Sequence, residues 1–213
     1  MPLFHGMRLR ASGLPRIRVP EIRQLRVGDI RRLRELLRSC WLDSYTGLLP
    51  DSVIMSAIAQ WHSTDRILLG MSTPHSFYAG YFEDEVLLGM VSARLVRGGT
   101  VKVFQLYVHP SRQREGIGSK LMGAAIKHYQ GLRRVVLEVE EGNTKGISFY
   151  RKLGFTYQGM KVVNLNGHEI HCLVGELVLP EAERSSSITL ARAGHRSRPE
   201  GVSIREPVER LAI

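Results

Sequence analysis

The segment that most constrains the fold of this chain covers residues 106–121. An apolar strand that ends near Val108 continues through Pro110 into a loop containing Gly116 and Gly118, and an amphipathic helix follows. This order places backbone N–H groups without helical partners at a helix N-terminus, where the helix dipole favours a phosphate. The segment therefore predicts a strand–loop–helix unit that holds a phosphorylated ligand.

Two common phosphate-binding loops do not fit this segment. No Gly-Lys-Ser/Thr run follows the glycines, and the third glycine of the dinucleotide-binding pattern is replaced by Leu121. Arg112, Arg114 and Lys120 flank the loop and are expected to add positive charge around the phosphates. A glycine pair before a helix is often only a tight turn, so the loop alone does not establish a ligand.

A second segment places polar side chains after another apolar strand, at residues 135–139. Asn143 and Tyr150 are seven residues apart, so a helix presents them on nearly the same face. Glu138 and Glu140 share one face of the strand. Each residue also has a purely structural interpretation, in which Asn143 caps the helix, Tyr150 is a half-buried core residue and Glu138 is a surface residue.

The remaining chain adds strands and helices in the order β α α β β β α β α β β. Alternating and β-branched runs predict strands at residues 21–27, 77–82, 86–96, 101–108, 135–139, 155–163 and 168–179. Helical periodicity predicts one helix from an Asp29 N-cap to about Trp41, and others after Pro50, at about 118–129 and at about 144–153. Asn166-Gly167 predicts a tight hairpin turn. The order indicates an α/β (α+β) fold in which helices cover a mixed sheet.

Length and charge suggest one domain with basic, irregular ends. We expect a flexible N-terminal segment at 1–20, a folded domain at 21–180 and a flexible tail at 181–213. The net charge is +10, of which the first segment contributes +4 and the tail +1. This charge favours anionic partners, but no aromatic-interleaved basic motif accompanies it, so nucleic-acid binding is disfavoured.

Several other classes are disfavoured by the sequence. No apolar run approaches the ~18 residues that a membrane span needs, and no secretory signal is recognisable. Cys40 and Cys172 therefore predict reduced thiols in a cytoplasmic protein. Strand alternation sends His168 and His171 to opposite faces, so these two and Cys172 are not expected to bind a metal.

The two segments together resemble the signature regions of the GNAT superfamily of acetyl-CoA-dependent N-acetyltransferases. Gln113-x-x-Gly116-x-Gly118 is similar to the pyrophosphate loop of that family, and Asn143 with the run from Phe149 to Phe155 is similar to its second region. The resemblance covers roughly residues 22–179. It implies a mostly antiparallel mixed sheet with a splayed parallel pair of central strands and helices on both faces. One departure is Arg114, where many members have glycine; the arginine should be tolerable if it keeps ordinary backbone angles.

The resemblance implies a site for acetyl-CoA as cosubstrate, with no metal. Residues at the matching positions are expected to contact the cofactor; they are Leu106, Tyr107, Val108, Gln113, Arg114, Glu115, Gly116, Ile117, Gly118, Ser119, Asn143 and Tyr150. The Val108 N–H would polarise the thioester carbonyl. Tyr150 would protonate the departing thiolate, and Glu138, twelve residues earlier, would be the general base. Neither cysteine lies in these motifs, so direct transfer is expected rather than an acyl-enzyme.

The sequence leaves the acceptor open. The segment at 41–50 resembles family members that modify small amines and polyamines, whereas the Leu-Glu-Val run at 137–139 resembles ribosomal-protein N-terminal acetyltransferases. We expect a small primary amine, with a peptide N-terminus as the alternative. A non-catalytic acyl-CoA-binding sensor module remains a third interpretation. Asp43 and the acidic turn at 83–85 are either a cation attractant or simply solvated, and the last hairpin leaves a homodimer open.

Overall fold

The structure is a computed structural model that describes residues 19–47, 49–165 and 168–180. The predicted flexible ends at 1–20 and 181–213 lie outside the described residues, apart from Val19 and Pro20. The predicted turn at Asn166-Gly167 also lies outside them.

Seven strands and five α-helices make up the described part of the chain. The strands are β1 (Glu21–Gln24), β2 (Ser76–Glu83), β3 (Val86–Leu95), β4 (Thr100–Val108), β5 (Arg134–Glu140), β6 (Thr156–Leu165) and β7 (His168–Val178). The helices are α1 (Ile30–Tyr45), α2 (Asp51–Trp61), α3 (Thr64–Ser72), α4 (Ile117–His128) and α5 (Thr144–Lys152). Short 3₁₀ turns occupy Val27–Asp29, Arg97–Gly99 and Pro110–Arg112.

All strands form one mixed sheet in the order β1-β2-β3-β4-β5-β7-β6. Neighbouring strands are antiparallel except β4 and β5, which are parallel. The β4–β5 ladder runs from the Thr100–Arg134 pair to the Val103–Leu137 pair and ends there. β4 continues to Val108 and β5 to Glu140, so the C-terminal parts of the two strands are not paired with each other. This splayed parallel pair is the one that the family resemblance implied.

A β-bulge in β4 coincides with the point where the two strands separate. Ser92 of β3 pairs with Gln105 and Ala93 pairs with Val103, which leaves Phe104 as an extra residue. Side chains normally alternate between the faces of a strand, and the bulge shifts this alternation by one residue. As a result Val103 and Leu106 belong to the same core cluster.

Helices cover both faces of the sheet, as predicted. One core lies between the sheet and helices α4 and α5, and it includes Leu121, Leu137, Val139, Tyr150 and Phe155. The other core lies under helices α1, α2 and α3, and it includes Leu33, Leu37, Trp41, Ile54 and Ile67. The gap between β4 and β5 therefore has an α4–α5 face and an α1–α3 face.

Three local predictions differ from the structure. β1 ends at Gln24 rather than near residue 27, because the chain turns into a 3₁₀ segment that leads to α1. Asp29 precedes α1, but its side chain does not cap that helix; its carboxylate accepts from the guanidinium of Arg23, at 2.7 and 3.0 Å, and from the Arg26 N–H, at 2.9 Å. Helix α3 was not predicted; Ser63 caps it by accepting a hydrogen bond from the Arg66 N–H.

Candidate active site

The open end of the β4–β5 pair exposes backbone groups of β4 toward the gap. The His109 N–H donates to the Leu88 carbonyl on β3 at 2.8 Å. Backbone groups alternate along a strand, so the N–H and C=O of Val108 point to the opposite edge, toward β5. The Val108 carbonyl accepts from Cys40 Sγ and Gln113 Nε2, both at 3.4 Å. The predicted donor at Val108 thus faces the gap.

The N-terminus of α4 presents three backbone N–H groups without helical acceptors. Gly116 has a left-handed φ of 79°, and the Lys120 N–H is bonded to its carbonyl at 3.1 Å. The N–H groups of residues 117–119 come earlier in the chain and have no carbonyl acceptor within the helix. The Ile117 side chain is buried and anchors the turn against β3, where a Cβ on Gly89 would lie 3.0 Å from Ile117 Cγ2. These groups meet the requirements of an anion site at a helix N-terminus.

Arg114 does not keep ordinary backbone angles. Its φ is 69°, in the left-handed region that residues with a Cβ occupy at a cost of about 1–2 kcal/mol. The condition under which arginine was expected to be tolerable is therefore not met: the loop keeps the backbone conformation that suits glycine and places an exposed arginine in it.

Arg112 is engaged by two carboxylates. Its guanidinium donates to both oxygens of Glu83 at 2.8 and 2.9 Å, and its Nε donates to Glu115 at 2.9 and 3.0 Å. These hydrogen bonds raise the pKa of Arg112. Arg112 thus links Glu83, at the end of β2, to the loop, and its predicted contact with a phosphate stays a prediction. Glu83 is likewise not a solvated cation attractant.

Helix α5 is held by an Asn cap and packs closely on α4. Asn143 Oδ1 accepts from the Gly146 N–H at 2.7 Å, so the structural interpretation of Asn143 is correct. Its predicted contact with the cofactor stays a prediction. Phe149 lies against Gly118, where an added Cβ would meet the ring at 3.1 Å. The glycine therefore lets the N-terminus of α4 approach α5.

Tyr150 is buried beside the gap, on the α4–α5 face. The residue is 1% exposed, and its ring makes edge contacts with Phe149 and Phe155. No hydrogen bond joins its hydroxyl to another residue of the described chain. Burial raises the pKa of the Tyr150 phenol well above its usual value, because the charged form loses its hydration. The phenol consequently keeps its proton at neutral pH and is able to donate it.

Glu138 lies on the other face of the sheet. It alternates with Leu137 and Val139, which belong to the same core as Tyr150. Glu138 is 7% exposed, and its Oε1 atom lies 2.9 Å from Lys102 Nζ and 3.7 Å from Lys161 Nζ. Its Oε2 atom is buried and has no hydrogen-bond partner. Oε1 is therefore paired with lysines, and Oε2 remains able to accept a hydrogen bond.

Two hydrogen bonds from α1 complete this face, and neither was predicted from the sequence. Trp41 Nε1 donates to the Tyr107 hydroxyl at 3.0 Å, and the Tyr45 hydroxyl donates to Glu140 Oε2 at 3.0 Å. Trp41 and Tyr45 are four residues apart and therefore lie on the same face of α1. This spacing is the sequence signal from which their joint position could have been predicted. Tyr107, predicted as a cofactor contact, has its side chain in the core under α1 to α3.

Both cysteines are buried as thiols. Burial is the main cause that raises the pKa of Cys40 and of Cys172 to about 12. Neither thiol is activated as a nucleophile at neutral pH. Within the described residues, no three His, Cys, Asp or Glu side chains come together as a metal site. No helix in the same part of the chain has the length and apolarity needed to cross a membrane.

A strand–loop–helix anion site beside a splayed parallel pair defines an acyl-CoA-binding α/β fold. The Acetyltransferase (GNAT) family model matches residues 30–155, and the chain belongs to this family. It is an acetyltransferase with acetyl-CoA as the acetyl donor.

Individual relatives agree with this assignment. The chain is 29% identical over 141 residues to spermidine N(1)-acetyltransferase of Thermoplasma acidophilum, a match that covers 63% of this chain and 87% of that protein. The crystal structure of the PaiA N-acetyltransferase of that organism, in complex with coenzyme A, superposes with a TM-score of 0.63 at 26% identity, covering 76% of this chain and 99% of the other.

A more distant structure shares the fold alone. The ribosomal-protein-S18-alanine N-acetyltransferase of Escherichia coli gives a TM-score of 0.58 at 16% identity, covering 75% of this chain and 94% of the other.

Proposed function

We propose that this chain transfers the acetyl group of acetyl-CoA directly to a primary amine, and that the acceptor is a small aliphatic amine or polyamine. One observation carries the proposal. The open gap between β4 and β5 has a buried, protonated Tyr150 on one face and Glu138, with an unpartnered Oε2, on the other.

The residues around the gap fit the cosubstrate. The N–H groups at the start of α4, beyond Gly116, suit a pyrophosphate. The backbone groups of Leu106 and Val108 face an edge without a strand partner, which suits the amide groups of a pantetheine arm. Acetyl-CoA, when bound, supplies an activated thioester.

The side chains divide the proton transfers between the two faces. The acceptor must react as a neutral amine, so a proton has to leave the nitrogen on the α1–α3 face. Glu138 Oε2 is the accepting atom, either directly or through a water molecule. Tyr150 provides the proton for the departing thiolate from the α4–α5 face. The Val108 N–H is the donor for negative charge on the carbonyl oxygen.

The choice of a small amine is supported by similarity and by the charges on the acceptor face. The relative from Thermoplasma acidophilum is named for spermidine. Glu138 and Glu140 lie on the same side of β5, on the face that the acceptor would approach. Lys102 and Lys161 balance the charge of Glu138, so Glu140 is the carboxylate that suits an amine with further positive charge.

The test is release of free CoA thiol from acetyl-CoA in the presence of spermidine, single amino acids and short peptides with free N-termini. Tyr150→Phe removes the proton and keeps the ring, so we expect kcat to fall by about 10²-fold or more. Full activity in this variant would remove Tyr150 from the mechanism. Tyr157→Phe is a matched control, because it removes a neighbouring phenol hydroxyl that is already bonded to the Ile147 carbonyl.

The same panel separates the alternatives. Turnover of peptides but not of small amines would favour a protein N-terminal acetyltransferase. Tight binding of acetyl-CoA without turnover of any amine would favour the sensor module.

A further inference from the structure

We infer that Glu140, positioned by Tyr45, is the residue that selects diamines and polyamines, by binding the second ammonium group of an acceptor whose first amine reacts beside Glu138. This inference rests on the proposed transfer to a small amine and adds a specificity-determining residue and a chain length to it.

The two carboxylates of β5 differ in charge compensation. Lys102 and Lys161 both lie within salt-bridge distance of Glu138 Oε1. Glu140 forms no ion pair with any lysine or arginine in the described part of the chain, although it is only partly exposed. Its negative charge is thus available to a cation, whereas that of Glu138 is already balanced.

Tyr45 fixes the uncompensated carboxylate without neutralising it. Its hydroxyl donates to Glu140 Oε2 at 3.0 Å, from a side chain that is 3% exposed in α1. Burial and the neighbouring Glu140 raise the pKa of the Tyr45 phenol, so it stays a neutral donor. The other oxygen, Oε1, lies near Gly142 and accepts no hydrogen bond from the described residues. A fixed carboxylate with one oxygen available is a suitable partner for an ammonium.

Glu140 and Glu138 belong to the same local environment. Both carboxylates contribute, after burial, to the raised pKa of the Cys172 thiol, which places both near that residue. Cys172 pairs with Glu140 across β5 and β7. The buried Oε2 of Glu138, which has no hydrogen-bond partner, is the second feature of this face that points to a ligand.

The strand geometry sets the length of the acceptor. Two residues along a strand span about 7 Å, so the Cα atoms of Glu138 and Glu140 lie about this far apart. An extended aliphatic chain of ~1.5 Å bonds covers this distance with roughly five bonds. Butane-1,4-diamine, or the equivalent part of a polyamine, has this spacing between its nitrogens.

The experiment compares kcat/KM for butane-1,4-diamine and for butylamine, which lacks the second ammonium. In the wild type we expect the diamine to be preferred by about 10–100-fold, the range for a charge-assisted hydrogen bond. Glu140→Gln should bring this ratio close to one, mainly through KM of the diamine. Tyr45→Phe should lower the ratio in the same direction and keeps the inference testable if Glu140→Gln does not fold.

Glu141→Gln is the matched control, because it removes the same charge from the next, exposed residue and should leave the ratio unchanged. An unchanged ratio in Glu140→Gln, with both amines still acetylated, would overturn the inference and leave the proposed function intact. Absence of turnover with both amines in the wild type would overturn the proposed function, and this inference with it.

Discussion

The Lys102–Glu138 pair provides the most direct test of how the α1–α3 face of the gap is built. Lys102 Nζ lies 2.9 Å from Glu138 Oε1, and the two side chains are 18% and 8% exposed. Lys102→Met keeps the length of the side chain and removes its charge. The variant leaves a buried carboxylate whose remaining cation, Lys161, is 3.7 Å away.

The expected loss of stability follows from this geometry. Removing one partner of a buried ion pair costs about 3–5 kcal/mol, and the remaining lysine favours the lower end, about 3 kcal/mol. For a domain of this size that corresponds to a decrease in Tm of roughly 6–12 °C. Lys161→Met removes a longer contact from a side chain that is 35% exposed and should cost no more than about 1 kcal/mol.

A double-mutant cycle separates the ion pair from simple loss of packing. Lys102→Met with Glu138→Gln leaves no uncompensated buried charge, so it should be more stable than Lys102→Met alone, with a coupling energy of about 2 kcal/mol. The free energy of unfolding is measured in urea, with fluorescence of the buried Trp41 and Trp61 as the signal. Costs that add within about 0.5 kcal/mol would show that the two charges do not interact as the structure indicates.

Two further variants test the loop and the start of α1. Arg114→Gly relieves a left-handed φ of 69° and should raise Tm by a few degrees, since about 1–2 kcal/mol of strain is offset by roughly 0.5–1 kcal/mol of glycine entropy; a lower Tm would contradict the strain. Arg23 lowers the pKa of Asp29 from 3.8 to about 2, so this carboxyl stabilises the fold above pH 4 and the effect is lost as the pH falls toward 2. Asp29→Asn should remove about 2 kcal/mol at pH 7 and make unfolding less dependent on pH between 5 and 2; an unchanged acid-unfolding curve would exclude this role.

The sequence predicted features that depend on neighbouring residues. The apolar stripe of α1, the glycine turn before α4 and the alternation in β5 are each contained in a short window, and local periodicity determines them. The family motifs added the splayed parallel pair. Helix α3 was not predicted because its apolar pattern is weak: of its residues only Ile67 is fully buried, and Leu69 is 62% exposed.

The side-chain contacts on the α1–α3 face of the gap join residues that no short window of sequence contains. Tyr45 and Glu140 are 95 residues apart in the chain, and Lys102 and Glu138 are 36 apart. Arg112 was expected near a phosphate because three basic residues flank the loop, but Glu83, 29 residues away, binds it. Sheet order decides such pairings, and composition does not reveal it.

The extra residue in β4 has a consequence for how this chain tolerates change in length. The bulge takes up Phe104 as an unpaired residue, so every later residue of β4 keeps its partner on β3 and its face. In a chain without Phe104, Gln105 would follow Val103 directly and would still lie opposite Ser92. Leu106 would therefore still face α4, Tyr107 would face α1, and the Val108 N–H would point toward β5. At this point the candidate site depends on the pairing of β4 with β3 rather than on the number of residues in the strand.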